Sequence, residues 1–323
     1  MRLGVLTNPA ARHNYRFPFT HRRLRHKLES AANAVATADK TQIADAIRHL
    51  LVEREVNVLA INGGDGTIHL AINQIVAQFG REVDAGRARF PTLLLLNGGT
   101  YNMASRAMRT KDDPVSTLAR FLERYRESRL ADVHTRKLGL LEIRRAGEAP
   151  MLGMVFGSEV IANALDLCDR LGSGYFGLAR LLMKGAVGYV VKSDFFQSNA
   201  WRLKPTDSRT RVDDRECRDV TGAVASTIDL KLARGMVWAL TTSAEARSFH
   251  VKLVRAKTPG EVVRLLPYLL WEFQHPMAPS FPDARHLLTS GRFTVDGELY
   301  DHSGALEVAL SPHGFEVVAG ESL

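Results

Sequence analysis

Val56-Asn57-Val58-Leu59-Ala60-Ile61 runs directly into Asn62-Gly63-Gly64-Asp65-Gly66-Thr67. The first block is a near-continuous apolar run of strand length, the character of a strand buried on both faces. Beyond the second block, Ile68, Ala71, Ile72, Ile75, Val76 and Phe79 recur at helical spacing, which predicts an amphipathic helix. The hexapeptide between them is therefore a turn from buried strand to helix. Its three glycines let the backbone take positive φ and come close to a bound group. The helix that follows offers free N–H groups and the positive end of its dipole, a ready phosphate site. One acid, Asp65, stands in the middle. A carboxylate repels phosphate, so its place here asks for a metal to hold or a proton to accept during transfer.

The surrounding segments repeat this grammar. Leu3–Thr7 reads as a short strand ending at the turn pair Asn8-Pro9, and Thr20 as the cap of a basic segment, His21 to Leu28. Ala34–Ala38 is a weaker strand. Asp39 and Gln42 form a capping pair for a helix carrying Ile43, Ala46, Ile47, Leu50 and Leu51. Phe90–Leu96 is another apolar strand and leads into Asn97-Gly98-Gly99-Thr100-Tyr101-Asn102, while Asp113-Pro114 opens a further helix. Such alternation predicts an open parallel, Rossmann-like α/β domain with its ligand site at the carboxyl ends of the strands. The tripeptide Asn62-Gly63-Gly64 returns 35 residues later as Asn97-Gly98-Gly99, and two such turns on neighbouring strands clamp one nucleotide. A tight connection with no ligand would explain a single turn; with both turns, Asp65 and Thr67, the ligand is the better account. Arg12, Arg16, Arg22 and Arg23 follow the first strand as sources of positive charge, although a solvated helix face explains Arg22 and Arg23 equally well.

From about Lys137 the pattern changes to short strands: Leu138–Ile143, Met151–Phe156, Ala200–Leu203, Thr227–Leu232, Met236–Leu240, His250–Val254, Arg292–Val295 and Leu306–Leu310. They predict an antiparallel β-sandwich. Arg209–Arg218, dense in both signs of charge, reads as a solvated loop, and His69 and His302 as surface residues. Two apolar helical stretches interrupt the strands, Ile161 to about Val191 and Glu261–Phe273; they either wall an acyl-chain pocket or simply pack on a sheet. The expected organisation is a nucleotide-binding α/β domain over 1–134, to which the tail from about 306 to 323 returns, a β-sandwich over 135–305, and a cleft between them. A net charge of +8 suits nucleotide phosphate, nucleic acid or an anionic membrane face without choosing among them. Two cysteines, Cys168 and Cys217, exclude a disulfide framework and point to a reducing, cytoplasmic setting. The amino terminus lacks a signal-peptide core, and no apolar run approaches the ~20 residues of a membrane span.

Asn8-Pro9, Gly63-Gly64-Asp65-Gly66-Thr67, Gly99-Thr100-Tyr101-Asn102 and Asp296-Gly297-Glu298, in that order, resemble the diacylglycerol kinase catalytic family, whose members include bacterial lipid kinases, sphingosine kinases and ceramide kinases. The Gly-Gly-Asp-Gly-Thr turn is shared with NAD kinases and 6-phosphofructokinases; the late Asp-Gly-Glu favours the lipid kinases. The resemblance implies an ATP-dependent transfer of the γ-phosphate to the primary hydroxyl of a diacylglycerol, a ceramide or a sphingoid base. It implies ATP phosphates on Asn8, Arg12, Asn62, Gly63, Gly64, Gly66, Thr67, Gly98, Gly99, Thr100 and Asn102, and Asp65 as the base. Asp296 and Glu298 would hold a divalent cation, Mg²⁺ first and Ca²⁺ second, or share the base role. Glu159 and Asp166 are weaker candidates for a lipid headgroup. The implied partner is a lipid at the inner face of a membrane and not nucleic acid; a homodimer stays open. Where many members place an acid after the residue matching Asn102, this chain has Met103, and Tyr101 replaces a frequent glycine. The competing readings are a kinase for a soluble acceptor such as NAD and a non-catalytic nucleotide- or lipid-binding member.

Overall fold

The computed structural model describes residues 2–28, 30–37, 39–110, 112–127, 133–172, 180–181, 183–184, 192–199, 208–232, 237–240, 248–256, 258–270 and 273–322. The chain divides into two compact units, Met1–Gly139 together with Pro312–Leu323, and Leu140–Ser311.

In the first unit, β1 (Leu3–Thr7), β2 (Ala34–Ala36), β3 (Val58–Gly63) and β4 (Thr92–Asn97) pair in parallel in the spatial order β2-β1-β3-β4. The last residues of a long strand, Ala305–Val318, add to the β4 edge, with Val317 opposite Leu93 in parallel. β1 connects to one side and β3 to the other, so the order reverses between them, and that switch point is where open α/β sheets bind ligands. The helices are α1 (Arg12–Arg16), α2 (Thr20–Arg25), α3 (Ile43–Arg48), α4 (Asp65–Asp84), α5 (Met103–Ala107) and α6 (Pro114–Glu127). Leu24 of α2 and Val115, Leu118 and Phe121 of α6 pack on Val5, Ala60 and Leu94 of the sheet. α4 buries Ile68, Ala71, Ile72 and Ile75. Strands covered on both faces account for the uninterrupted apolar runs in the sequence.

Asp113 fixes the start of α6, its Oδ1 accepting the amides of Val115 at 3.0 Å and Ser116 at 3.2 Å. Burial pushes its carboxyl up, but bonds from the Ser116 hydroxyl and these amides, with the charge of Arg23, outweigh burial and hold it below the usual value. A depressed carboxylate stabilises the fold above its unfolded pKa and loses that contribution as pH falls through the folded one. Asp113→Ala should therefore cost about 1 kcal/mol at neutral pH, with the deficit shrinking on acidification. Urea titrations at neutral and acidic pH check this; an equal deficit at both would remove the charged cap from the explanation. Thr20 behaves differently from its expected role. Phe19 already has helical φ and ψ, so Thr20 lies inside the helix, and its hydroxyl donates back to the Phe17 carbonyl at 2.7 Å.

The second unit is antiparallel. Its strands are the end of β5 (Thr135–Arg145), β6 (Met151–Gly153), β7 (Val155–Ser158), β8 (Ser208–Val212), β9 (Arg215–Ser226), β10 (Leu230–Leu232), β11 (Val237–Leu240), β12 (Phe249–Arg255), β13 (Ser280–Ala284), β14 (His286–Ser290), β15 (Phe293–Val295), β16 (Glu298–Tyr300) and the start of β17 (Ala305–Val318). Long β9 pairs with β7, β8 and β12, and their inward residues, among them Phe156, Ala223, Val251, Phe293 and Val308, share one core. Its helices are α7 (Val160–Arg170), α8 (Asp194–Asn199) and α9 (Pro259–Leu270). The apolar helix expected from Ile161 is seen as α7; residues 173–179 and 185–191 lie outside the described residues, as does the strand expected at 200–203. Val262 and Leu265 of α9 pack with Val160 of α7 and Val254 of β12, so these helices cover a sheet face. Among the described residues no helix is long and apolar enough to cross a membrane.

Arg209–Arg218 is not a solvated loop but the β8–β9 hairpin, with Thr210 opposite Cys217 and Val212 opposite Arg215. Arg209 and Arg211 are exposed while Thr210 and Val212 are buried, an alternation of period two that the charges disguised. The expected strand Met151–Phe156 is broken at Met154, for a reason that belongs to the site below.

Candidate functional site

The carboxyl ends of β1 and β3 carry the first cluster. Asn8 Nδ2 donates to Thr67 Oγ1 at 2.9 Å, and its backbone amide donates to the Asn62 carbonyl at 2.9 Å. The N-cap of α4 is Gly64, whose backbone is extended. The second Asn-Gly-Gly turn leans directly on the first. A Cβ at Gly98 would come within 2.6 Å of Asn62 Oδ1, and one at Gly99 within 2.3 Å of the Gly64 Cα. Only glycine allows this backbone-to-backbone approach. On the expectation that these turns hold nucleotide, Gly99→Ala should push them apart and weaken Mg-ATP binding by tenfold or more, about 1.4 kcal/mol. Calorimetric titration with Mg-ATP measures it; unchanged affinity would show that the contact does not shape the site.

Asn102 closes the second turn. It adopts left-handed φ 50° and ψ 46°, a conformation asparagine tolerates better than most residues. Its Oδ1 accepts the Gly99 amide at 2.8 Å and its Nδ2 donates to the Gly99 carbonyl at 3.3 Å. Met103 then starts α5, and the amide of Ala104 donates to Asp65 Oδ1 at 3.1 Å. Asp65 is buried and is the first residue of α4, where the helix dipole stabilises a carboxylate. Thr100 and Tyr101 are half-buried beside Asn102, and Gly66 is half-buried in the first turn of α4. The first turn of α4 is enclosed on several sides, and this buries His69 as well, against its expected place on the surface.

One member of the cluster left no trace in the sequence pattern. Asn14, buried on the five-residue α1, donates through Nδ2 to the carbonyls of Asn8 at 2.8 Å and Asn62 at 3.2 Å. Next to it, the His13 amide donates to the Gly98 carbonyl at 3.1 Å. So short a helix has no readable period, and α1 nonetheless fastens the first loop to both glycine turns. Arg12, its first residue, is exposed.

The second cluster lies within the second unit. Asp296 and Gly297 form the two-residue loop between β15 and β16, Val295 facing Glu298, with φ 51° and 92°. Positive φ at both positions marks a hairpin turn that asparagine, aspartate and glycine favour. Asp296 is also a buried anchor: Oδ1 accepts the amides of Met154 and Val155, both at 2.9 Å. This is why the run Met151–Phe156 breaks there, since the two amides turn to a carboxylate. Burial, then the charges of Glu298 and Asp296, raise the pKa of Tyr300. Burial, then Asp166 and Glu298, raise that of Asp169. Asp169 therefore joins this acidic group although the sequence reading passed over it; its signal was the spacing of three from Asp166 on one helix.

Glu159 starts α7 with φ 53° and ψ −111°, a strained setting for a side chain. Its amide donates to the Arg292 carbonyl at 2.7 Å, and its carboxylate packs over Gly291, where no Cβ fits. Asp166 pairs with Arg170 at 3.2 Å and Arg292 at 3.3 Å. Burial raises its pKa, but the bonds and charges of these arginines outweigh burial and lower it overall. Arg292 thus gathers Glu159 and Asp166 at one corner. His302 is half-buried, edge-on to Phe293 at 6.2 Å. Burial pushes the Cys168 thiol up to about 11, which leaves it inert as a nucleophile. No group of three or more His, Cys, Asp or Glu side chains suited to a metal occurs among the described residues.

Residues 2–133 match the diacylglycerol kinase catalytic domain. The whole chain is similar in fold to a Bacillus anthracis strain Sterne protein with a provisional diacylglycerol kinase assignment, at 13% identity and a TM-score of 0.67, covering 100% of this chain and 98% of that one. A further structure, named as a diacylglycerol kinase from the same strain, gives 13% identity and a TM-score of 0.64 over 98% and 96%. An NAD kinase from Archaeoglobus fulgidus in complex with ATP gives 12% and 0.48 over 99% and 94%. Among curated proteins no match was found.

Proposed function

We propose that this chain, whose residues 2–133 match the diacylglycerol kinase catalytic domain, transfers the γ-phosphate of ATP to the primary hydroxyl of a membrane lipid. The observation that carries this reading is the stacked pair of glycine turns beside the buried carboxylate of Asp65. Glycine-rich turns at the head of a helix suit phosphate oxygens, which need backbone amides near and side chains away. Phosphoryl transfer rests on positioning and charge neutralisation. The chain has no Gly-x-x-x-x-Gly-Lys-Ser/Thr loop, so the glycine turns at 63–67 and 98–100 take that part, with Asn8, Thr67 and Asn102 setting their geometry and Arg12 adding charge. Asp65, oriented by the Ala104 amide, accepts the proton of the acceptor hydroxyl.

The donors for a divalent ion are Asp296 and Glu298. Asp296 spends one oxygen on two amides, and the described residues contain no three-ligand cluster. A pair of carboxylates suits Mg²⁺, which keeps waters among its ligands. When bound there, the ion would supply the positive charge that phosphoryl transfer calls for. Glu159 and Asp166, gathered by Arg292, are assigned the polar headgroup.

Radiolabelled ATP offered with diacylglycerol, ceramide and sphingoid bases in mixed micelles, and separately with NAD, tests the proposal. Label should appear in one lipid product. Label in NADP instead would move the acceptor to a soluble nucleotide; Mg-ATP binding with no labelled product from any acceptor would leave a binding protein.

A further inference from the structure

Among the described residues, three of the most exposed large apolar side chains fall within five positions: Tyr15 at 80%, Phe17 at 51% and Phe19 at 70%. They sit on α1 and the turn into α2, around Pro18. Arg12, Arg16, Arg22, Arg23, Arg25 and Lys27 surround them and are exposed, and no acidic residue precedes Glu29 in the chain. The Arg16 guanidinium lies 5.8 Å from the centroid of the Phe17 ring, and the His13 ring lies 4.9 Å from the same ring. Asp113, whose charge reaches His13 and Arg23, is engaged in capping α6.

We infer that this basic and aromatic tip is the surface by which the protein docks onto an anionic lipid bilayer. Scattered single apolar residues are ordinary on a protein surface, whereas adjacent exposed aromatic rings mark an interaction site. Aromatic side chains settle at the level of lipid headgroups, and arginines beside them gain from the negative potential of an anionic leaflet. Single-stranded nucleic acid asks for a groove with stacking platforms along it; exposed aromatic rings with exposed cations around them suit a flat charged surface instead. The tip is also fastened to the phosphate cradle, because the same short helix carries Asn14 and His13, bonded to Asn8, Asn62 and Gly98. Docking there brings the glycine turns to the membrane. That purpose rests on the lipid kinase reading; the surface itself does not.

The test is co-sedimentation with phosphatidylcholine vesicles, with and without phosphatidylglycerol. The wild-type protein should pellet with the mixed vesicles, weakly with phosphatidylcholine alone, and less as salt is raised. Phe17→Ser/Phe19→Ser and, separately, Arg22→Gln/Arg23→Gln should each weaken binding by roughly tenfold or more. The phenylalanine variant should keep its melting temperature and its turnover of lipid dispersed in detergent micelles. Wild-type protein that stays in the supernatant, or a phenylalanine variant that pellets unchanged, overturns the inference. So does a finding that these phenylalanines are needed for binding single-stranded nucleic acid or for self-association without lipid. Vesicle binding that survives while no lipid is phosphorylated would sink the kinase reading and leave the docking surface standing.

Discussion

On the proposed lipid kinase reading, Asp65→Asn is expected to cut phosphate transfer by a factor of roughly 10² to 10⁴, the usual contribution of a positioned general base. Asparagine has the same shape, and its carbonyl oxygen can still accept the Ala104 amide that holds Asp65 at 3.1 Å. The fold should therefore survive. The loss of a charge from the first turn of α4 costs about 0.3–1 kcal/mol, visible as a small drop in melting temperature. Mg-ATP affinity should hold or rise, since a negative charge has left the phosphate cradle. Single-turnover transfer of labelled phosphate, read beside calorimetric ATP binding, separates these effects. Full turnover by the asparagine variant would take the base role away from Asp65.

Asp296 should give the largest stability effect, and two substitutions divide its duties. Asp296→Ala strands the buried amides of Met154 and Val155 and forces alanine to φ 51°. Each stranded amide costs about 1–3 kcal/mol and the left-handed backbone about 1–2, so a loss of about 3 kcal/mol or more is expected in urea denaturation. Asp296→Asn keeps an acceptor oxygen for both amides and tolerates the same φ. It should be nearly as stable as the wild type while losing most activity, through the missing charge at the proposed ion site. An asparagine variant with full activity would reduce Asp296 to a structural anchor. An alanine variant with full stability would remove even that.

The parallel half of the fold was legible because both faces of its strands are buried, which leaves apolar runs that nothing else explains. The glycine turns were legible for the same reason in reverse: glycine is cheap only where backbone meets backbone, as Gly64 and Gly99 do. Asn14 was invisible because its role lies in two hydrogen bonds to carbonyls brought near by the fold, with no period or motif to announce it. The β8–β9 hairpin was hidden by Arg209 and Arg211, whose charge outweighed the buried Thr210 and Val212 between them. Asp296 showed itself as one letter of a motif, but its hold on Met154 and Val155 joins residues 142 and 141 positions apart, a relation that local pattern cannot carry. His69 misled because an α-helix usually keeps one side in water, and the first turn of α4 does not.

The segment Pro312–Leu323 completes the first unit. Val317 pairs with Leu93, Phe315 stacks on Phe90 at 4.8 Å, the Gly320 amide donates to the Met108 carbonyl at 2.7 Å, and Glu321 bonds to Arg109 and Arg136 at 2.5 Å. During synthesis, residues 1–139 must wait until all of Leu140–Ser311 has been made before that edge of their sheet can close. Over that interval β4 is an open edge of apolar backbone, exposed to pairing with other chains. Newly made protein is thus most vulnerable to aggregation in the time between the completion of β4 and the arrival of the strand that seals it.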